Sequence, residues 1–146
     1  MLGKLCKYLR MCGIDTAYAN EGSKIAFLAL KENRVVLTKN TKLRSRDNVF
    51  LLDTDDPMVQ LQIVVERFDL KNHMNFLSRC LLCNEPLVKT VKENVKNRIP
   101  YYTYQHFDEY EECPKCARIY WKGSHYQKMV ENIERDIKLH IKNGKS

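Results

Sequence analysis

Two cysteine pairs constrain this chain more than any other feature. Cys80 and Cys83 form one C-x-x-C, and Cys113 and Cys116 form a second, within 146 residues. At that spacing a tight turn can aim two thiolates at one ion. Four thiolates at about 2.3 Å complete the tetrahedral shell that Zn2+ prefers. Asn84, Pro86 and Pro114 supply turn chemistry around the pairs. The intervening segment is long for such a module, but closure entropy grows only slowly with loop length. The rival readings, two disulfides or a redox-active C-x-x-C, fit poorly with a chain that lacks secretory features. The pattern therefore predicts a structural zinc site whose binding free energy is largely folding free energy for a small unit. Cys6 and Cys12 stand apart as small buried hydrophobes on a helix.

The N-terminal MLGKLCKYLRMCGID interrupts its apolar residues with Lys4, Lys7 and Arg10, so it lacks the apolar core of a signal peptide. No apolar run approaches the roughly 20 residues a bilayer requires. An intracellular, reducing location, cytoplasmic or nuclear, is expected, with no membrane partner. The net charge is +7 and the pI about 9.1. That excess suits a polyanion such as nucleic acid, through steering and counterion release, and equally suits a soluble basic protein without one.

Periodicity divides the chain into two units, 1–76 and 77–146. In the first, Leu2, Leu5, Cys6, Leu9 and Cys12 recur at helical spacing and Gly13 follows as a stop. Asp15–Ala19 reads as a short extended piece. Ser23 is placed to cap a helix over Lys24–Glu32, with Ile25, Leu28 and Ala29 facing inward. Val35–Thr38 and Val49–Asp53 read as buried strands, and Pro57 opens a helix running to Arg67. This alternation predicts an α/β fold with a small parallel sheet and flanking helices. Asp69–Leu77 reads as a linker. Beyond it, short strands are expected at Pro86–Lys89 and Arg118–Trp121. A terminal helix over Lys128–Lys142 would dock through Met129, Ile133, Ile137 and Ile141.

The motifs LGKLCKYLRMCGIDT (Leu2–Thr16), ENRVVLTKN (Glu32–Asn40), DDPMVQL (Asp55–Leu61), RCLLCN (Arg79–Asn84) and CPKCARIYWKGSH (Cys113–His125) together resemble the Mut-seven C-terminal RNase domain family. The resemblance implies a PIN-like α/β domain followed by a four-cysteine zinc ribbon and a C-terminal helix. The family occurs as stand-alone prokaryotic proteins and at the C-terminus of Mut-seven and Nibbler-type 3′→5′ exonucleases. PIN-like nucleases gather carboxylates at strand ends to hold Mg2+ or Mn2+, which activates water and stabilises charge on the phosphate. In the family the first such acid lies on a strand before the LGKL helix, which is expected to be missing from a chain beginning at Met1. Where members commonly carry L-T-R-D, this sequence reads Leu37-Thr38-Lys39-Asn40. An Asn carbonyl can ligate a hard cation but brings no charge.

The acids left for a catalytic cluster are Asp53, Asp55, Asp56 and Glu21; alternatively Asp55 or Asp56 simply caps the helix at Pro57. Three basic groups are candidates for nucleic acid. The loop after the Val35–Thr38 strand carries Lys39, Lys42, Arg44 and Arg46. Between the cysteine pairs, Lys89 and Lys92 precede Tyr101, Tyr102 and Tyr104, where cations could track a backbone and rings stack bases, or where a solvated helix face leads into a β-rich aromatic stretch. The third group is Arg118, Trp121, Lys122 and His125, with Trp121 either stacking a base or covering the ribbon core. The acidic run Asp108–Glu112 is expected to lie away from any RNA track. Taken with the resemblance, these residues imply RNA binding by a catalytically degenerate accessory domain, partnered with an exonuclease domain in the same or another chain. The alternatives are an active Mg2+- or Mn2+-dependent endoribonuclease and a protein-docking module.

Overall fold

A computed structural model of the chain describes residues 2–19, 24–43 and 47–144. Helix α1 (Gly3–Met11), helix α2 (Lys24–Lys31), strands β1 (Val36–Thr38) and β2 (Val49–Leu51) and helix α3 (Pro57–Arg67) come first. Strand β3 (Val88–Thr90), helices α4 (Lys92–Val95) and α5 (Tyr101–His106), strands β4 (Tyr110–Glu112) and β5 (Ile119–Tyr120) and helix α6 (Ser124–Gly144) follow. β1 and β2 run parallel, with Val36, Leu37 and Thr38 opposite Val49, Phe50 and Leu51. β4 is the centre of a separate antiparallel sheet in the order β3-β4-β5. The α/β expectation therefore holds, with the four cysteines gathered in the C-terminal part.

The first three helices stop by one device. After α1, the Gly13 N–H donates to the Arg10 carbonyl at 3.0 Å and the Ile14 N–H to the Leu9 carbonyl at 2.9 Å, with Gly13 at φ 82°. Asn33 (φ 58°) and Asp69 (φ 51°) occupy the same place after α2 and α3. This is the Schellman closure, which satisfies the last helical carbonyls through one left-handed residue. At Gly13 a side chain is excluded twice over. A Cβ there would lie 2.3 Å from the backbone oxygen of Asn75 and 2.8 Å from Ser78 Oγ. Gly13→Ala is expected to cost at least about 1–3 kcal/mol from the left-handed backbone alone, read from the urea unfolding midpoint. An unshifted midpoint would show that the Asn75 segment moves freely away.

α3 starts on Asp56, whose carboxylate accepts from the Met58 and Val59 amides at 3.0 and 3.4 Å, with Pro57 following. Its buried Leu61, Val64 and Val65 meet Leu5, Leu9, Met11 and Cys12 of α1 and its cap, together with Leu52. Ile133 and Ile137 of α6 complete the same core, as their spacing predicted. Met74, Phe76 and Leu77 also pack against it, and the Asn75 and Leu77 amides donate to the Cys12 and Met11 carbonyls at 2.9 and 2.8 Å. The segment expected to be a linker is thus laced onto α1.

Four local expectations differ from the structure. Asp15–Ala19 pairs with no strand, because its polar groups meet the first cysteine turn instead. On α2, Ala29 is buried while Phe27, Leu28 and Leu30 are exposed, with the helix packing along β1 of a narrow sheet. The same narrowness leaves Val35 outside β1 and half exposed, and β2 only half-buried. Tyr101–His106 is helical rather than β-rich, because Pro100 sets an N-terminus and the Thr103 side chain is buried beneath the turn. Ser23 lies outside the described residues, as does the side chain of Ile141.

Candidate metal centre

The two cysteine pairs fold into matching turns. In the first, the Cys83 N–H donates to Cys80 Sγ at 3.4 Å, the Asn84 N–H to the Cys80 carbonyl at 2.9 Å, and the Cys80 N–H to the Glu85 carbonyl at 2.9 Å. In the second, Cys116 N–H to Cys113 Sγ is 3.4 Å, Ala117 N–H to the Cys113 carbonyl 2.9 Å, and Cys113 N–H to the Arg118 carbonyl 2.9 Å. Asn84 and Ala117 close their turns in the left-handed region, at φ 65° and 66°. One pair precedes the β3–β4–β5 sheet and the other joins β4 to β5, so sheet pairing carries the turns together.

All four sulfurs lie within 4.8 Å of one another. Cys80 Sγ and Cys116 Sγ are 3.7 Å apart, far beyond the roughly 2.05 Å of a disulfide. A tetrahedron with 2.3 Å bonds has edges of about 3.8 Å, so the donor set fits one tetrahedral metal ion. Cys80 and Cys113 are buried, Cys83 is half-buried and Cys116 is exposed, so the site sits at the surface with a shielded inner side.

The sulfurs are electrostatically unequal. Burial acts to raise the Cys80 thiol, but hydrogen bonds from the Tyr120 hydroxyl and the Cys83 and Leu82 amides outweigh it and bring it down to about 7. Cys83 is pushed up to about 12 by desolvation and by the neighbouring Cys116 and Cys80 sulfurs. One thiolate is thus ready near neutral pH, and the accumulating negative charge makes further ionisation depend on a cation. Tyr120 Oη lies 3.2 Å from Cys80 Sγ and accepts the Leu81 N–H at 3.1 Å. Its phenol is held above the ordinary range by burial and by Cys80, so it stays a donor.

The C-terminal edge of the parallel pair is the second place where chemistry-bearing residues meet. The Leu52 N–H donates to the Thr38 carbonyl at 2.8 Å, which draws the chain after β2 along the end of β1. Lys39 is ion-paired with Asp55. The Asn40 side-chain oxygen accepts the Lys42 N–H at 3.0 Å and is used within its own turn. Asp56 caps α3, and Asp53 is exposed. The three aspartates therefore point to different tasks. Among the described residues, the cysteines are the one group of three or more His, Cys, Asp or Glu side chains close enough to share an ion. Glu21, Arg44 and Arg46 lie outside the described residues.

The other basic candidates are partly engaged. Lys92 pairs with Asp108 at 2.9 Å and lies over the Tyr104 ring at 4.8 Å, and Lys89 stands opposite Glu111 in the sheet. Arg98 pairs with Glu112 at 3.2 Å. The acidic run expected to lie apart is thus folded against the second basic group, because β4 carries it to the centre of the sheet. Trp121 is half-buried, set edge-on to Tyr110 at 6.4 Å and covering Gly123, while Arg118, Lys122 and His125 are exposed.

Residues overlooked at the level of sequence join the first turn to α1. Arg10 donates to the Thr16, Leu81 and Leu82 carbonyls, and Arg79 to those of Gly13 and Asn84. The Asn84 side chain accepts from the Thr16 amide at 3.0 Å and donates to Asp15 at 2.6 Å. Asp15 also holds Arg34. Arg10 had a legible signal, since it lies four residues after Cys6 on the inward stripe of α1. No described helix is long and apolar enough to cross a membrane. No curated protein and no solved structure matches the chain. The model of the Mut7-C RNAse domain family matches residues 1–133, and with that span covering α1 through the cysteine turns into α6, the chain belongs to this family.

Proposed function

We propose that the protein holds single-stranded RNA on a zinc-fixed scaffold, as a catalytically degenerate domain accessory to a 3′→5′ exoribonuclease in RNA processing. The observation that carries this reading is the engagement of Asp55 by Lys39 and of Asp56 by the first turn of α3. Carboxylates at the sheet edge thereby have partners other than a metal ion, while Lys42 adds a cation to the same loop. Membership in an RNase-domain family and the charge of +7 support RNA as the polyanion. Zinc is favoured because four clustered thiolates are its preferred donors. The exonuclease partner rests on the family resemblance.

The competing reading is a Mg2+- or Mn2+-dependent endoribonuclease using Asp53, Asp55, Asp56 and Glu21, and the exposed Asp53 at the end of β2 favours it. Asp55→Asn separates the two. In a holder the change frees Lys39 and raises RNA affinity by about 2- to 5-fold, the worth of an exposed ion pair. In a nuclease it abolishes cleavage. End-labelled single-stranded RNA incubated with Mn2+ is expected to stay intact on a denaturing gel. It should also bind with a salt slope of about −2.8 if Lys39, Lys42, Arg44 and Arg46 each meet a phosphate. Internal cleavage that chelation and Asp53→Asn both remove would establish the nuclease. Absence of salt-dependent binding would leave a docking role.

A further inference from the structure

Arg10 is only 8% exposed, and among the described residues it has no carboxylate partner. Its guanidinium donates to three backbone carbonyls, those of Thr16 (2.8 Å), Leu81 (2.8 Å) and Leu82 (3.2 Å). A buried cation without an anion is costly unless negative charge lies nearby. The Leu81 carbonyl belongs to the same peptide group as the Leu82 N–H, and the Leu82 carbonyl to the same group as the Cys83 N–H. Of those two amides, that of Cys83 donates to the Cys80 sulfur at 3.4 Å. A cation on the oxygen side of a peptide group polarises it and strengthens the hydrogen bond made by its N–H side.

We propose that Arg10 is a positioning residue of the metal site: its guanidinium polarises the Leu82–Cys83 peptide group, whose N–H donates to Cys80 Sγ, and so sets metal affinity from a helix of the α/β part. This rests on the four-cysteine site being a metal site, and not on the RNA reading. Four thiolates around a divalent ion leave a net charge of about −2, which is the counter-charge Arg10 otherwise lacks. The coupling is reciprocal, so metal on the cysteines stabilises the Arg10 contacts to the loop after α1.

Arg79 provides the control. It also ties the first turn to α1's loop, through the Gly13 carbonyl at 3.3 Å and the Asn84 carbonyl at 2.7 Å. The amide on the far side of the Asn84 carbonyl is that of Glu85, which follows the turn. The test uses the whole chain loaded with Co2+ or Zn2+, measuring affinity against a competing chelator and the thiolate-to-cobalt charge-transfer band. Arg10→Gln is expected to weaken metal by about 10- to 100-fold, the usual effect of removing an outer-shell partner, and to shift the band. Arg79→Gln should leave the band in place and weaken binding far less. Wild-type affinity and band in Arg10→Gln, or equal losses in both variants, would overturn the proposal. A measurement on the unaltered protein covers the case in which Arg10→Gln does not fold. The Arg10 Nε–H resonance should be slowly exchanging and shifted when metal is bound and lose both properties on stripping; a resonance indifferent to metal would refute the coupling.

Discussion

Stripping the metal, or replacing Cys113 with Ser, is expected to unfold the region from the first cysteine pair through β5 as a unit. The reason is how little else holds it. Its strands are three, three and two residues long. Apart from Cys80 and Cys113, its buried side chains are Val95, Thr103 and Tyr110. Apparent binding free energies of small structural zinc sites run to about 10–16 kcal/mol near neutral pH, which exceeds what so small an apolar cluster supplies. Hydrogen exchange read segment by segment gives the measurement. Chelation should abolish protection over β3–β5 while amides of α1 and α3 keep theirs. Because the thiolates must be deprotonated to bind, the same loss should appear as pH falls. A stripped protein with unchanged protection and a cooperative melt would show that the cysteines are not a folding site.

Ile133→Ala is the second large effect. Ile133 is 1% exposed, and it shares the core with Leu5, Leu9, Leu61 and Val64 although it lies on α6, beyond the cysteines in sequence. Truncating a fully buried aliphatic side chain costs about 2–5 kcal/mol through lost transfer free energy plus the cavity left behind. Urea unfolding followed at α1 and α3 should register that loss, because the cavity opens in their core. If instead only α6 frays, with the α1–α3 midpoint unchanged, the helix is a removable cover and the core is complete without it.

Local rules recovered the elements that local chemistry decides. α3 begins and ends where Pro57 and the apolar stripe put it, and Gly13 stops α1 because no other residue fits its φ beside Asn75. The cysteine site was legible because ligand spacing is itself a local geometric code. Hidden from sequence were features set by long-range partners. Arg10 was read only as one of three charges that interrupt the N-terminal apolar residues, although its acceptors lie some seventy residues away at Leu81 and Leu82. Tyr101–His106 has β-forming composition, yet Pro100 at its start and the burial of Thr103 go with a helix. The aspartates of LLDTDDP look alike in sequence; their separate fates at Lys39, at the α3 amides and in solvent follow from where β1 ends.

The shared core of α1, α3 and α6 bears on how the chain is made. At the ribosome's pace of about 5–20 residues per second, the seventy residues between the end of α3 and Ile137 take roughly 4–14 s to synthesise. Through that interval Leu5, Leu9 and Leu61 are already present without the helix that covers them. A nascent chain in this state exposes apolar side chains of α1 and α3, while the cysteine turns emerge and can load their ion. Folding in the cell is thus bound to finish from the late side, with α6 closing over a surface that has waited for it.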